Sequence, residues 1–589
     1  MDRKFTVWLL TLILVICLTI SGCTSGKPVD QKEQENIQQK EESETLKEDE
    51  VAGETVEQEE QEEKDPFGKY PEPIEITACR VKTSWMGFDS GEDENNNWWS
   101  RTYLEQLNIK LNVVWTAPNW GEPLDTKITT CIATDDLPDL MPVYGSLAQR
   151  LAIAGKAMDV KDIIDEYASD KVMEYLNYAD GRALKGAMYD GKMIGIPNPG
   201  GLVSTYDLLW YRSDWLQKLG LEKPKTLEDI ENLARAFKDQ DPDGNGEADT
   251  YGIAADKNFG GLEHVLNMYG AYQGWIEKDG KLEYGLIQPE VKSALSKMHE
   301  WYKEGLLAVD FAVKDPDNEL QADIASGKVG IMFDGSHFPN GGAGRALKKN
   351  NPDAEVDWAI IPTPEGQPAK QYTPSRANDF NVISYKCEHP EAIMKLINLK
   401  VQIFEPSEKP DFLKDLTTNE YDTTKEGNMS FWNAVVSFDN IGKNYIIADL
   451  VNEEIKKGGD GSSLPLDAKS TFNMMNSWLK EGTKADNYEV NWAMYKLFNA
   501  ENGSDLISYR MAEAEPDKYR HYDAFGGIDT PAMAKYGSDI HTKSIEYFIK
   551  AVMEGNVEEQ FEEWVNYFNN NGGDLMTKEA NEWYENNKK

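Results

Sequence analysis

The densest run of potential ligand atoms in the sequence is Asp241-Pro242-Asp243-Gly244-Asn245-Gly246-Glu247-Ala248-Asp249-Thr250. Oxygen side chains fall at positions 1, 3, 5 and 9 of an EF-hand-like loop frame, and Gly246 stands at position 6, where such a loop turns sharply. Calcium takes six to eight hard oxygens, so Asp241, Asp243, Asn245 and Asp249 are candidate side-chain ligands, with Glu247 contributing its backbone carbonyl. Position 12 is Gly252 rather than a bidentate Glu. Thr250 or water must then complete the shell, which points to one structural ion held at the ~10⁻⁴ to 10⁻³ M level rather than to a sensor. A solvated Asx-rich turn after a helix accounts for the same residues without an ion.

Signatures of catalysis are scarce. The six histidines, His264, His299, His337, His389, His521 and His541, make no HExxH or comparable metal spacing, and there is no GxSxG elbow. Residues 186–193 read GxxxxGKM, but the Ser or Thr that a phosphate-cradling loop needs after Lys192 is missing. Acidic neighbours such as Asp135 and Asp136 do not mark a glycosidase pair, because the chain has 103 acidic residues against 61 basic ones. The resulting formal charge of -42 excludes a nucleic-acid binder that works by neutralising phosphates. Aromatics are the other asset. Trp85, Trp98, Trp99, Trp120, Trp210, Trp275, Trp358 and Trp432 stand beside polar or turn residues. Indole faces can stack on the C–H faces of sugars while Asp, Asn and Arg bind the hydroxyls, although core packing is the commoner role of any single Trp.

Something must place these residues outside a cell. Arg3 and Lys4 precede an uncharged apolar run over 5–20, too short for a membrane span and suited to a signal-peptide core. The run ends in Ile20-Ser21-Gly22-Cys23, which resembles the bacterial lipobox, so residues 1–22 read as a lipoprotein signal peptide and Cys23 as the lipidated residue. Acyl chains including palmitate on Cys23 would hold the chain at a membrane, lipid-anchored and facing the extracytoplasmic side. Residues 31–65 carry fifteen Asp or Glu and four Lys. Residues 23–70 therefore read as a disordered, self-repelling acidic tether. Cys79, Cys131 and Cys387 are too few and too scattered for a disulfide framework.

From residue 67 onward short apolar strands alternate with helical patterns, which predicts an α/β architecture. Strands are expected at 74–79, 109–115, 140–143, 192–197, 208–211, 329–333, 358–361 and 380–384, and helices at 98–107 and 213–219. Thr226 to Asp229 reads as a capping box ahead of a helix carrying Leu227, Ile230, Leu233, Ala234 and Phe237. Residues 402–535 read as helices and loops. Two amphipathic helices close the chain, the first ended by Gly555, with a shorter segment after Asp574.

Several blocks in order resemble the extracellular solute-binding lipoproteins of carbohydrate ABC transporters, family 1, in particular their LplA-like and alginate-binding-protein-like branch. These blocks are Ala133-Thr134-Asp135-Asp136-Leu137-Pro138-Asp139-Leu140, Leu209-Trp210-Tyr211-Arg212-Ser213-Asp214-Trp215-Leu216, Gly327-Lys328-Val329-Gly330-Ile331-Met332, His389-Pro390-Glu391-Ala392, and Gly572-Gly573-Asp574 through Asn581-Glu582-Trp583-Tyr584. The resemblance implies a two-lobed periplasmic-binding-protein-like fold over 71–589, with crossing hinge strands and an interlobe cleft. Lobe one would span approximately 71–195 plus part of 385–535, and lobe two approximately 196–380 plus the remaining C-terminal helices. It also implies a non-catalytic, monomeric receptor that captures an oligosaccharide and delivers it to permease subunits. By motif position the cleft residues would be Ser84, Trp85, Tyr144, Gly145, Asn198, Trp210, Arg212, Trp275, Asp334, Arg376, Asn378, Asp379 and Trp432. The rival reading is a surface-attached, calcium-dependent polysaccharide lyase or glycosidase.

Overall fold

The computed structural model describes residues 64–587 except 83–86, 89, 203–205 and 406–432. Cys23, Ser84, Trp85 and Trp432 lie outside the described residues.

Two sheets organise the body. The first has five strands in the order Ile109–Ala117, Ile74–Val81, Leu140–Tyr144, Asp379–Ile383 and Ile196–Pro197. The first three of these run parallel, and Asp379–Ile383 returns antiparallel. The second sheet has four strands in the order Val356–Ala359, Leu208–Arg212, Val329–Asp334 and Tyr251–Ile253. Sequence pattern follows position. Edge strand Ile109–Ala117 begins by alternating buried and outward residues, whereas Leu208–Arg212, flanked by strands on both sides, is buried along its whole length.

Each sheet has its own core. One is built from 74–202 and 377–404 with Val435, Val436 and Phe438. The other sheet is covered by two clusters, one reaching Trp492, Ala493, Ala512 and Tyr519, the other running through the C-terminal helices to Ala580. Helix Leu227–Asp239 is fixed by the anticipated capping box, Thr226 with Asp229, and buries Leu227, Ile230, Leu233, Ala234 and Phe237.

The structure changes several boundaries. The stretch before residue 70 is not all tether: Lys395 Nζ donates to the Gly68 carbonyl at 2.9 Å, Asn398 Nδ2 to Pro66 at 3.0 Å, and Tyr70 N to Leu107 at 3.1 Å, so 66–70 belong to the folded body. The strand expected at 358–361 is Val356–Ala359, because its pairing partner Leu208–Arg212 lies opposite those residues. Residues 443–514 form four successive helices, Lys443–Lys457, Leu466–Glu481, Tyr488–Phe498 and Ser504–Ala514. The segment after Asp574 is a full helix of 14 residues, held where Asn581 bridges Leu282 N at 2.9 Å and its carbonyl at 2.8 Å. No helix among the described residues is long and apolar enough to cross a membrane.

Trp210, read from the sequence as a sugar-stacking residue, is instead fully buried in the second sheet. Its indole N–H donates to the Gly335 carbonyl at 3.0 Å, and its ring lies 5.4 Å from that of Phe338. This strand is covered on both faces, so the ring has no exposed surface to stack on a ligand. Trp210→Ala should therefore lower unfolding free energy by about 3–5 kcal/mol. Urea denaturation followed by circular dichroism measures it, and an unchanged midpoint would contradict the core role.

Candidate functional site

The chain passes out of the first core at 198–207 and at 373–379, which join it to the core of the second sheet, and near 439–443, which leads into a separate cluster around Ile447, Phe472 and Leu506. Both sheets point the carboxyl ends of parallel strands at these crossings. Tyr144 closes a parallel strand opposite Asp379, and Asp334 closes another opposite Leu208, the first strand residue after the 198–207 crossing. Crevices outside the carboxyl ends of parallel strands are where ligands bind in open α/β sheets.

At the first sheet the three crossings are tied by one amide. Asn198 N donates to the Asp379 carbonyl at 2.9 Å. Asn198 Oδ1 accepts from Asp439 N at 2.8 Å and Gly200 N at 3.1 Å, while its Nδ2 donates to Asp439 Oδ2 at 2.9 Å and Asp379 Oδ2 at 3.3 Å. Every donor and acceptor of the side chain is thereby used. Asn381, also buried, clamps the third crossing: Oδ1 accepts from Ser437 N at 2.8 Å and Nδ2 donates to its carbonyl at 2.6 Å. Burial pushes the Asp379 carboxyl up. Burial also acts on Asp439, but Lys400 and Asn198 outweigh it and hold that carboxyl below the usual range.

The expected cleft residues separate into groups. Tyr144, Gly145, Asn198, Asn378 and Asp379 meet at the crossing end of the first sheet, where Gly145 N donates to the Asn378 carbonyl at 3.1 Å. Asn198, 4 % exposed, has every donor and acceptor of its side chain committed to the crossings. The Tyr144 hydroxyl is committed to Asp125. Arg376 spans to Asp529 Oδ1 at 2.5 Å and the Gly527 carbonyl at 2.7 Å, which makes it a brace between segments. Arg212 stands at the opposite end of its strand from Leu208, paired with Asp214 at 2.6 and 2.8 Å and lying 4.2 Å over the Trp215 ring. That distance from the crossing removes it from the cleft. Trp275 is a core residue, packed against Tyr284 at 5.5 Å.

At the second sheet a cavity of about 500 Å³ opens beside Asp334. Its carboxylates are Asp207, Asp256, Glu263, Asp317 and Asp334, and its floor includes Ala254, Ile324, Met332 and Phe338. No lysine or arginine is among its lining residues. His264 Nδ1 lies 3.7 Å from Asp207 Oδ2, and Nε2 lies 3.8 Å from Glu263 Oε1. Burial raises the Glu263 and Asp334 carboxyls. Burial also draws the His264 imidazolium down, yet Glu263 and Asp207 outweigh it and hold it above the ordinary histidine value. Of this group the sequence reading found only Asp334. An acidic residue flanking a buried strand was the available signal for Asp207, whereas Glu263 and His264 sit in the short helix Glu263–Met268 with no local mark.

The acidic loop at 241–250 is closed by its own hydrogen bonds. Asp241 Oδ1 accepts from Gly244 N at 3.0 Å and Asn245 N at 3.1 Å, and Oδ2 from Gly246 N at 3.1 Å. Asn245 Nδ2 bridges Asp243 Oδ2 at 2.8 Å and Asp249 Oδ1 at 3.1 Å. Gly246 has φ +81°, the left-handed turn that position 6 requires. Thr250 is not part of the shell: it is buried, and its hydroxyl donates to the Phe237 carbonyl at 2.8 Å. Among the described residues no three His, Cys, Asp or Glu side chains stand in an arrangement that holds a metal by themselves. An ion here would need the Asn245 oxygen turned inward and the Glu247 carbonyl.

A carboxyl whose pKa is raised on folding stabilises the fold below its unfolded value and loses that contribution as pH rises through the folded value. His264, raised as well, has the same sign. Lowering pH from about 7.5 to 5.5 should accordingly strengthen the second core, with Asp207, Glu263, Asp334, His264 and His337 as the groups facing one another. Glu263→Gln at pH 7 should raise stability by the roughly 0.5–2 kcal/mol typical of relieving an unfavourable charge, and should flatten the pH profile. Scanning calorimetry across that range reads both, and an unchanged profile in the variant would exclude Glu263 as a source.

The sequence profile of the family described as bacterial extracellular solute-binding protein matches residues 101–399. Lipoprotein LipO of Bacillus subtilis is 28% identical over 232 residues, covering 38% of this chain and 44% of that one. The polygalacturonan/rhamnogalacturonan-binding protein YtcQ of the same organism is 25% identical over 261 residues, 43% of this chain and 50% of that one. The chain thus spans about half the length of the curated relatives it matches. In fold, an HMO-binding, ABC-transporter-associated solute-binding protein from Bifidobacterium longum infantis superposes with a TM-score of 0.60 at 17% identity, over 88% of this chain and 99% of that one. With half its length under the profile and the two-sheet, crossed-strand fold to match, the chain belongs to the bacterial extracellular solute-binding protein family.

Proposed function

We propose that this protein is the receptor of an ABC importer, which captures an oligosaccharide at the crossings between its two lobes and hands it to a permease. The carrying observation is that parallel strands of both sheets end beside the crossings, and that a cavity of about 500 Å³ stands open in the second lobe beside the strand end closed by Asp334. That volume falls within the ~300–1,000 Å³ range of small-molecule sites. YtcQ, described as a polygalacturonan/rhamnogalacturonan-binding protein, supports a saccharide ligand. Lipidation at Cys23 would anchor the chain on the outer side of a membrane, with the acidic tether as spacer. LipO, described as a lipoprotein, supports that placement. A thermal-shift screen against a glycan panel, followed by calorimetry on the hits, should give at least one oligosaccharide with micromolar or tighter affinity. The same incubations should release no new reducing ends. Hydrolysis of a hit would favour the lyase or glycosidase reading, and a blank panel would remove sugar capture.

One calcium ion at the acidic loop belongs to the same proposal. Asp241, Asp243, Asn245 and Asp249 already converge on one turn. An ion that binds only the native state at ten times its Kd adds about 1.4 kcal/mol. Calcium should therefore raise Tm, chelator should reverse the rise, and Asp243→Ala should abolish it; a melting curve indifferent to both additions would show that the loop stands without metal.

A further inference from the structure

We propose that the cavity on the second lobe accepts only saccharides without acid groups, and that Glu263 and Asp334 enforce this selection. The inference rests on the sugar-receptor reading and narrows its substrate class to neutral and amine-bearing oligosaccharides.

The cavity combines an apolar floor with carboxylates and contains no lysine or arginine among its lining residues. The lysines in the neighbouring loop are occupied elsewhere: Lys257 pairs with Asp315 at 2.7 Å and Lys314 with Asp323 at 2.6 Å. Asp256 spends one oxygen on its own turn, Oδ1 accepting from Asn258 N at 2.7 Å and Gly260 N at 3.2 Å. Glu263 is different. Its side chain lines the cavity, and its Oε2 accepts no hydrogen bond within the protein; an unmade bond of this kind costs free energy until a rearrangement on binding brings it a donor. Asp334 stands at the end of its strand with one oxygen turned to Gly335 N at 2.7 Å, leaving acceptor capacity toward the cavity. A sugar hydroxyl or ammonium supplies the donors that both lack, and hydrogen bonds to an ionised acceptor are the stronger kind. A uronate would bring a second negative charge into the same space.

Magnitude decides that the exclusion is large. Two like charges about 6 Å apart repel by about 1 to 3 kcal/mol for an effective dielectric between bulk water and a protein surface. That is on the order of tenfold to a hundredfold in affinity for each carboxylate facing the ligand.

The test uses the mature, soluble chain and three probe classes in calorimetry at low and high salt: neutral fructo- and galacto-oligosaccharides, deacetylated chito-oligosaccharides, and oligogalacturonides. A neutral or amine-bearing probe should bind at least tenfold tighter than any oligogalacturonide of equal length. Salt should narrow that gap through screening. In Glu263→Gln with Asp334→Asn the gap should shrink about tenfold or more, with Tm preserved or raised to show that the variant folds. Oligogalacturonide binding equal to or tighter than the neutral probes would overturn the selection while leaving sugar capture intact. An unchanged gap in the folded variant would overturn the role of these two residues. If none of the three classes binds, both the sugar-receptor reading and this inference fall.

Discussion

The side-chain amide of Asn198 is the point on which the two-lobed arrangement turns. It joins three stretches far apart in the chain, at 198, 379 and 439, through its two oxygen lone pairs and two N–H bonds. A buried amide that loses one partner forfeits that bond and also carries the desolvation cost of the group left bare, so such a network forms as a whole or not at all. Gly200 shows how close the fit is: a Cβ there would stand 2.6 Å from that of Asp439. With the crossings fixed in one place, Tyr144, Gly145, Asn378 and Asp379 are held together at the end of the first sheet.

Elsewhere the fold pairs several of the charges it buries. Lys348 meets Glu355 at 2.6 Å, Arg520 meets Glu513 at 3.0 Å, and Arg212 is held bidentately by Asp214. Unpaired buried charge is destabilising, and in these cases the chain avoids it. The second-lobe cavity departs from that practice, with five carboxylates and only His264 and His337 to answer them. Local inconsistency of this kind concentrates at functional sites, where stability is given up for a ligand that restores the balance.

Much of this was legible in the sequence wherever a short-range rule applied. The Thr226 capping box, the buried strand at 208 and the Gly555 helix stop follow from propensity and periodicity, and they stand where expected. The order of family motifs pointed to the α/β fold with crossing strands, and Tyr144, Asn198 and Asp379 do meet at one end of the first sheet. What failed were readings that turned on which way a side chain points. Trp210 and Trp275 sit beside polar neighbours, yet an alternating strand buries one residue and exposes the next, and burial on both faces removes even that choice. Thr250 occupies a plausible loop position, but its hydroxyl is consumed by the last turn of the preceding helix at Phe237. The pairing of Asn381 with the Ser437 backbone spans 56 residues and leaves no local trace.

The net charge of -42 suggested from the outset a molecule that repels anions, but screening assigns that role to far fewer residues. At physiological salt the Debye length is about 8 Å, so most of the surface acid is invisible to a ligand already in the cleft. Charges inside a cavity with apolar walls are screened much less, and the field there is set by the nearest carboxylates. Asp207 and Glu263 both lie within 4 Å of the His264 ring nitrogens, at 3.7 and 3.8 Å, closer than the screening distance. Selection among saccharides is therefore a local property of the second-lobe carboxylates, and a homologue with an equally acidic surface but a lysine in this cavity would choose differently.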